Sequence, residues 1–361
     1  MLPSIKDLSY ADLRQWLAER QQPAFRAKQI QDWLFKKHAV DFNDMANLPL
    51  ALRQSLAEHF RAFTLTPLKT QEATDETIKW LSQLGDGETI ETVLIRAPER
   101  DTVCISSQVG CAVRCIFCAS GKQGLVRNLS SAEILDQVIL ASRAVGRLVN
   151  NVVVMGMGEP LHNVDQLVAA LKLLCSADGL GLGARHVTIS TSGVPAAIRR
   201  LAELQTPWNL ALSLHAVNDE ARAKIIPPAK RNPLEDIFAA CEYYMQKTNR
   251  MMTLEYILLD GRNCQPEDAS RLVDIAHRLH AKVNLIPCNN DSGPCRAPDD
   301  ELCERFLRLL LSRKVHATLR RRKGKDIQAA CGQLRSQAPA AGKGSADTAS
   351  AAPPSPASNR E

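Results

Sequence analysis

The sequence predicts an α/β protein whose parallel strands are joined by helical crossovers, with a small helical region in front. Three observations carry this. From residue 102 onward, short runs rich in Val, Ile or Leu alternate with longer amphipathic stretches, the pattern of repeated strand–helix units whose strands run parallel. Before that, residues 9–63 place apolar side chains at helical spacing. After Leu334 no bulky apolar residue occurs, so the last stretch has nothing with which to bury a core and is expected to be disordered.

Taken in order, Ser9 and Asp12 form a plausible N-terminal cap for a helix with Leu13, Trp16 and Leu17 on one face. A second helix, residues 25–38, turns Ile30, Trp33 and Leu34 inward and Arg26, Lys28, Lys36 and Lys37 outward. A third follows Pro49, with Leu52, Leu56 and Phe60 four residues apart. The basic side chains suit either a solvated face or an RNA contact. Residues 66–94 alternate as strands do around a turn at Asp86-Gly87. Strand candidates then follow at 102–106, 151–155, 186–190, 209–214, 253–258 and 283–286. Helical patterns fill the gaps at 131–143, 164–174, 195–204, 234–246 and 266–280. A further strand at 316–319 leads into the basic run Arg320-Arg-Arg-Lys-Gly-Lys325. Six units suit a partial barrel, although spacing alone does not separate that from an open sheet.

The bulk numbers bound the class. A chain of 361 residues has room for a large catalytic domain and a small accessory one. An apolar share of 45% is ordinary for a globular protein, and no apolar run is long enough to span a bilayer. A formal net charge of +6 permits a nucleic-acid partner without requiring one. Eleven cysteines scattered over this length do not read as a secreted disulfide framework. The opening residues lack the basic-then-apolar layout of a signal peptide. A soluble cytoplasmic protein is the expectation.

Gly110 to Cys118 reads Gly-Cys-Ala-Val-Arg-Cys-Ile-Phe-Cys, three thiols at C-x3-C-x2-C spacing within reach of one loop. Zinc and ferredoxin-type clusters normally take four protein ligands. No histidine lies between His59 and His162 to complete a tetrahedral zinc site. Three thiolates on a four-iron cluster would leave one iron open to a small chelating molecule. Zinc, or three buried cysteines acting as small hydrophobes, are the plainer readings. The open-site cluster is favoured.

In parallel α/β architectures, reactive groups gather at the carboxyl ends of the strands. Here those ends are polar: the cysteine loop after the first strand, Gly156-Met-Gly158-Glu159-Pro160 after the second, Ser190 to Gly193 after the third, Ser213-Leu214-His215 after the fourth, and Pro287-Cys288-Asn289 after the sixth. Glycines there let a ligand approach the backbone. One glycine turn is a weak signal; several convergent ends are a stronger one. A satisfied core histidine is the bland alternative for His215.

C-x3-C-x2-C with an aromatic before the last Cys resembles the signature of radical SAM enzymes. The segments SSQVGC, GMGEPLHN, HVTISTSG, SLHA, EYILLDG and GKDIQAACGQL stand in the order found in the RlmN/Cfr family of RNA methyltransferases, from about Leu8 to Leu334. The resemblance implies a partial (β/α)6 radical SAM barrel with a [4Fe-4S] cluster on Cys111, Cys115 and Cys118. It implies S-adenosylmethionine held by Gly158, Glu159, Ser190, Ser213, Leu214, His215 and Asn289. Read this way, residues 1–65 are a helical accessory domain contacting RNA and 66–96 a β-rich segment carrying Glu91. Residues 97–335 are the catalytic core and 336–361 the disordered tail.

The target chemistry explains two further thiols. Carbon C2 of adenine lies between two ring nitrogens and is too electron-poor to attack a sulfonium methyl, whereas a thiolate attacks it readily. The resemblance implies that Cys331 accepts a methyl and that a deoxyadenosyl radical then removes hydrogen from it. The resulting carbon adds to C2, Glu91 takes the C2 proton, and Cys104 releases the product through a transient disulfide. Taken alone, Cys104 and Cys331 read as buried small residues and Glu91 as a solvent-facing strand residue. The basic run beside Cys331 suits RNA phosphates or a solvated turn. Implied substrates are one adenine of 23S rRNA at the peptidyl transferase centre and the adenine 3′ of the anticodon in tRNA. A reductase or flavodoxin-type electron donor and a monomeric enzyme complete the expectation. C8 methylation, as by Cfr, and a zinc-stabilised RNA-binding module without catalysis are the alternatives. Two positions depart from the family pattern: Cys288 stands for an aromatic and Asn290 for a proline. The remaining cysteines read as structural.

Overall fold

The computed structural model describes residues 2–289, 295–320, 323–324 and 326–334. Asn290, three members of the basic run (Arg321, Arg322 and Lys325) and the tail 336–361 lie outside the described residues.

Three helices open the chain: α1 Tyr10–Ala18, α2 Phe25–Gln31 and α3 Leu50–His59. Ser9 and Asp12 form a reciprocal capping box at the start of α1. α2 continues as a π turn to Lys36, and the basic side chains beside it are largely held by the protein itself. Lys28 pairs with Asp32 and Asp178, Arg26 donates to the Asn47 carbonyl, and Lys37 lies over the Trp33 ring.

Then come β1 Thr66–Glu72, β2 Ile78–Gln83, β3 Thr89–Ala97, β4 Arg100–Cys104, β5 Gln108–Gly110, β6 Leu125–Asn128, α4 Ser131–Val145, β7 Asn151–Val154, α5 Val164–Cys175, β8 Val187–Thr191 and α6 Pro195–Glu203. The chain continues through β9 Asn209–Ser213, α7 Asp219–Ile225, α8 Leu234–Thr248, β10 Thr253–Leu258, α9 Pro266–Arg278, β11 Lys282–Pro287, α10 Asp300–Ser312 and β12 Ala317–Leu319. One ten-stranded sheet runs β1-β2-β3-β4-β7-β8-β9-β10-β11-β12, antiparallel up to β4 and parallel from there on. The six parallel strands expected from the sequence are present, with β12 pairing onto β11 as the further strand. This is the α/β architecture of radical SAM proteins.

Three elements differ from the sequence reading. α7 has only seven residues, too few to display a helical period, and is fixed by Asn218, whose side chain accepts from the Ala221 amide. The β5–β6 hairpin is three residues against four, too short and polar to stand out. α10 was not among the expected helices although its signals are present: Asp299 caps it, and Cys303, Phe306 and Leu310 face inward at helical spacing.

The core follows from the strand composition. Val103, Val152, Val154, Ile189, Leu210, Leu254 and Leu285 are buried between the sheet and its helices, as both-face coverage of parallel strands requires. A fully buried ion pair ties the N-terminal segment to the barrel: Lys6 Nζ lies 2.6 Å from Asp136 Oδ1 on α4. Lys6 also donates to the Ala62 carbonyl, and Asp136 Oδ2 accepts from the amide and hydroxyl of Thr64 at 2.8 Å each. Burial nevertheless holds the Asp136 carboxyl above its ordinary range. Among the described residues, no helix is long and apolar enough to cross a membrane.

Candidate active site

The cysteine loop hangs from the β5–β6 hairpin. Gly110 sits there at φ +74°, and a Cβ at this position would lie 1.9 Å from the Gly124 carbonyl oxygen. Only glycine permits that approach, which lets the Cys111 amide donate to the same oxygen at 2.9 Å. The loop is held from the other side by α7, where the Ile116 amide donates to the Ile225 carbonyl at 3.1 Å. Ile225, Ile226 and Ala229 pack with Cys111 and Val113 in a small satellite core that also buries Cys288. The residue that departs from the family's aromatic is thus accommodated beside the loop.

Cys111, Cys115 and Cys118 line one cavity of ≈150 Å³ at the carboxyl ends of β7, β8, β9 and β10. Burial pushes the Cys111 thiol up to about 12, with the Cys118 and Glu159 charges adding to it. Burial likewise raises Cys115 and Cys118, and the Cys118 and Cys111 charges add to the shift of Cys115. Three thiols that burial disfavours as thiolates share one space, and a cationic centre is what would hold them deprotonated. Among the described residues, no three such groups converge tightly enough for a single metal ion. A cluster sets a different requirement, because each thiolate binds its own iron. The donor set fits a cluster better than a tetrahedral zinc ion.

The expected cofactor residues converge on this cavity, though not all in the expected way. Gly158, Glu159, Ser190, Ser213 and His215 line it. The Ser190 and Ser213 hydroxyls are 3.2 Å apart. Glu159 does not wait free. Its Oε1 accepts from Thr191 Oγ1 at 2.7 Å and the Leu161 amide at 3.1 Å, and its Oε2 from the Ser192 amide at 2.8 Å. The carboxylate therefore clamps the end of β8 while facing the cavity. Gly158, at φ +107°, lacks a side chain for the protein's sake: a Cβ there would meet Gln108 Cβ at 2.7 Å. Its backbone still lines the cavity, as expected of a position that lets a ligand approach. Leu214 is a core residue with only its backbone near the site, donating to the Glu255 carbonyl at 3.0 Å.

His215 is both a satisfied histidine and a cavity wall. Its Nδ1 accepts from the Ile257 amide at 3.1 Å, and its ring stands edge-on to Phe117 at 4.9 Å. Burial, helped by the Arg222 charge, lowers it to about 3, so the ring is neutral.

A second, smaller pocket of ≈30 Å³ adjoins the first and is lined by Cys104, Asn289, Arg320 and Cys331. Arg320 and Cys331 line both spaces. Burial raises the Cys104 thiol to about 12, with the Cys331 charge adding and Arg320 opposing. Arg320 itself is raised, chiefly by Cys331 and then by Glu255 and Cys104 acting against burial. Cys331 rides on a strap over the barrel mouth. Asn289 Nδ2 donates to its carbonyl at 3.1 Å, and Gln333 Nε2 donates to the Asn289 carbonyl at 2.7 Å. The Ala119 amide donates to the Gly332 carbonyl at 2.7 Å, so the strap is fastened directly to the cysteine loop. Asn289 lines the thiol pocket rather than the larger cavity, and its Oδ1 is buried with no protein partner. Such an orphaned acceptor fits a bound donor.

Glu91 is buried, against the solvent-facing reading of an alternating strand. The reason is cross-strand pairing: Lys79 on β2 reaches Glu91 Oε1 at 3.1 Å and donates to the Gln328 carbonyl of the strap at 3.2 Å. Glu91 and Val93 share one face of β3, and Val93 pairs with Cys104. Glu91 lines neither cavity. The sequence reading did not single out Arg222, an isolated charge without motif spacing, and it quoted Glu255 in the EYILLDG segment and Arg320 in the basic run without giving either a place in the site.

Two family models match the chain. That of the radical SAM superfamily covers residues 105–273, and that of the ribosomal RNA large subunit methyltransferase N-terminal domain covers residues 4–62. A probable dual-specificity RNA methyltransferase RlmN of Akkermansia muciniphila is 45% identical over 343 residues, covering 92% of this chain and 96% of that one. The probable RlmN 3 of Opitutus terrae is 48% identical over 338 residues, 88% of this chain and 90% of that one. A crystal structure of a radical SAM methyltransferase from Sphaerobacter thermophilus superimposes with a TM-score of 0.89 at 42% identity, covering 92% of this chain and 99% of that one.

Proposed function

The chain belongs to the RlmN family of radical SAM methyltransferases, and from that premise we propose that it methylates C2 of adenine in 23S rRNA and in tRNA through a methyl carried on Cys331. The observation that carries this reading is the position of Cys331, which borders both the cavity of the three loop thiols and the pocket of Cys104.

The chain's own residues divide the work. Gly158, Glu159, Ser190, Ser213 and His215 wall the space for S-adenosylmethionine, and the neutral His215 ring adds no charge to repel the sulfonium. Cys111, Cys115 and Cys118 would hold the [4Fe-4S] cluster, which when bound supplies the electron that opens the carbon–sulfur bond of S-adenosylmethionine. Cys331 Sγ takes the methyl as a nucleophile, and Arg320 lines the same space. Cys104 faces Cys331 across the small pocket and forms the disulfide that frees the modified base. Glu91 receives the C2 proton, for which the contact between Lys79 and Gln328 must open to admit the base.

Reaction of the anaerobically reconstituted protein with ribosomal RNA, followed by mass spectrometry of the nucleosides, tests the proposal. 2-Methyladenosine is the expected product; 8-methyladenosine alone would assign the Cfr-type outcome instead.

A further inference from the structure

One buried charge is not accounted for by the residues that fold around it. Arg222, on α7, is fully buried. Its Nε donates to the Leu214 carbonyl at 3.1 Å, and its Nη2 donates to the Ser192 carbonyl and, at 3.4 Å, to that of Ser213. Among the described residues, no carboxylate lies within ion-pair distance of it. Backbone carbonyls offset part of the cost of burying a guanidinium, but removing such an ion from water still costs several kcal/mol. A neutral amide could cap the same carbonyls without that penalty. The opposing charges the guanidinium feels are Cys115 first, then Asp219 and Glu159. α7 is also the helix on which the cysteine loop rests, through Ile116 and Ile225.

We propose that Arg222 is the built-in counter-charge of the iron–sulfur cluster, fixed on the helix that holds the cysteine loop and setting the potential at which the cluster accepts its electron. This rests on the reading that Cys111, Cys115 and Cys118 hold a cluster. Three thiolates make that site net negative, and reduction adds one more negative charge to it. A fixed cation a short distance away therefore stabilises the reduced form more than the oxidised one and eases electron entry. The same charge pairing lowers the free energy of the loaded protein relative to the empty one, because only loading gives the guanidinium its partner. Arg222 is a positioning residue in this account; it need not touch S-adenosylmethionine or RNA.

Full-length Arg222→Gln and Arg222→Lys separate charge from hydrogen bonding. Gln can still donate to the strand-end carbonyls but is neutral; Lys keeps the charge with fewer donors. Each is reconstituted without oxygen, analysed for iron and sulfide, and titrated potentiometrically with the reduced cluster followed by electron paramagnetic resonance. Arg222→Gln is expected to lower the reduced-to-oxidised ratio at a fixed potential by roughly tenfold, the scale of one charge at interior dielectric, or about 59 mV for one electron. Arg222→Lys is expected to stay near the parent. Loading should also raise the melting temperature less in Arg222→Gln than in the parent or in Arg222→Lys, which reads the same pairing without a redox couple. Loaded Arg222→Gln at the parental potential, or both variants shifted alike, overturns the proposal and leaves the cluster reading standing. A parent that takes up no iron and sulfide overturns both.

Discussion

The molecule holds two sets of thiols whose cavities both border Cys331, and they are built by opposite means. Cys111, Cys115 and Cys118 occupy eight consecutive residues, and one hairpin with one glycine fixes their loop. Cys104 ends β4, whereas Cys331 follows β12 on the far side of the parallel strands, and the two line one pocket only after the sheet forms and the strap folds back over it. Local spacing suffices where one ion cluster must be wrapped. In the proposed function two thiols approach, exchange partners and part; each sits on a separate element, so one can be removed without undoing the other.

The sharpest way to break this contrast is to remove one member of each set. Cys111→Ala is expected to abolish cluster binding, S-adenosylmethionine cleavage and RNA methylation together, as measured by iron content, release of 5′-deoxyadenosine and nucleoside analysis. Cys331→Ala should abolish methylation while retaining the cluster and cleavage. Methylated RNA from Cys331→Ala would collapse the two centres into one. Next in size is Glu91→Gln, which should lower the methylation rate by about 10²–10⁴-fold, the usual worth of a general base, with cluster absorbance unchanged. Loss of the cluster in that variant would make Glu91 a structural residue.

Two further changes sharpen the comparison through stability. Removing one partner of the buried Lys6–Asp136 pair, as in Lys6→Met, should cost about 3–5 kcal/mol of unfolding free energy in urea titrations, while the spectrum of the loaded cluster stays unaltered. The last effect, graded by pH, is that of His215. Its folded value of about 3 lies below the ordinary histidine value, so between those two values the unfolded chain binds the extra proton. Stability should therefore fall as pH drops from about 6.5 toward 3, by roughly 1 kcal/mol per pH unit from this residue alone. His215→Gln should flatten that slope.

Legibility in the sequence followed the same division. The strand–helix alternation and the cysteine spacing were readable because both are local patterns. The contacts of Glu91, Asn289 and Arg320 were not, because each depends on partners in distant elements: Lys79 with Gln328 for Glu91, the Cys331 carbonyl for Asn289, and two thiols with Glu255 for Arg320. α7 shows why the rest was hidden. A seven-residue helix gives no periodicity, yet it supports the cysteine loop and carries the buried guanidinium. The glycine before Glu159 was legible as a special position, but the close packing of Gln108 against it needed the fold.

The central claim is that one thiol of the second set carries the methyl. Incubating the reconstituted protein with S-adenosylmethionine but no RNA, then digesting it and sequencing the peptides by mass spectrometry, reads this directly. The account predicts a methyl group on Cys331 and none on Cys104; an unmodified Cys331 in a preparation that goes on to methylate RNA would contradict it.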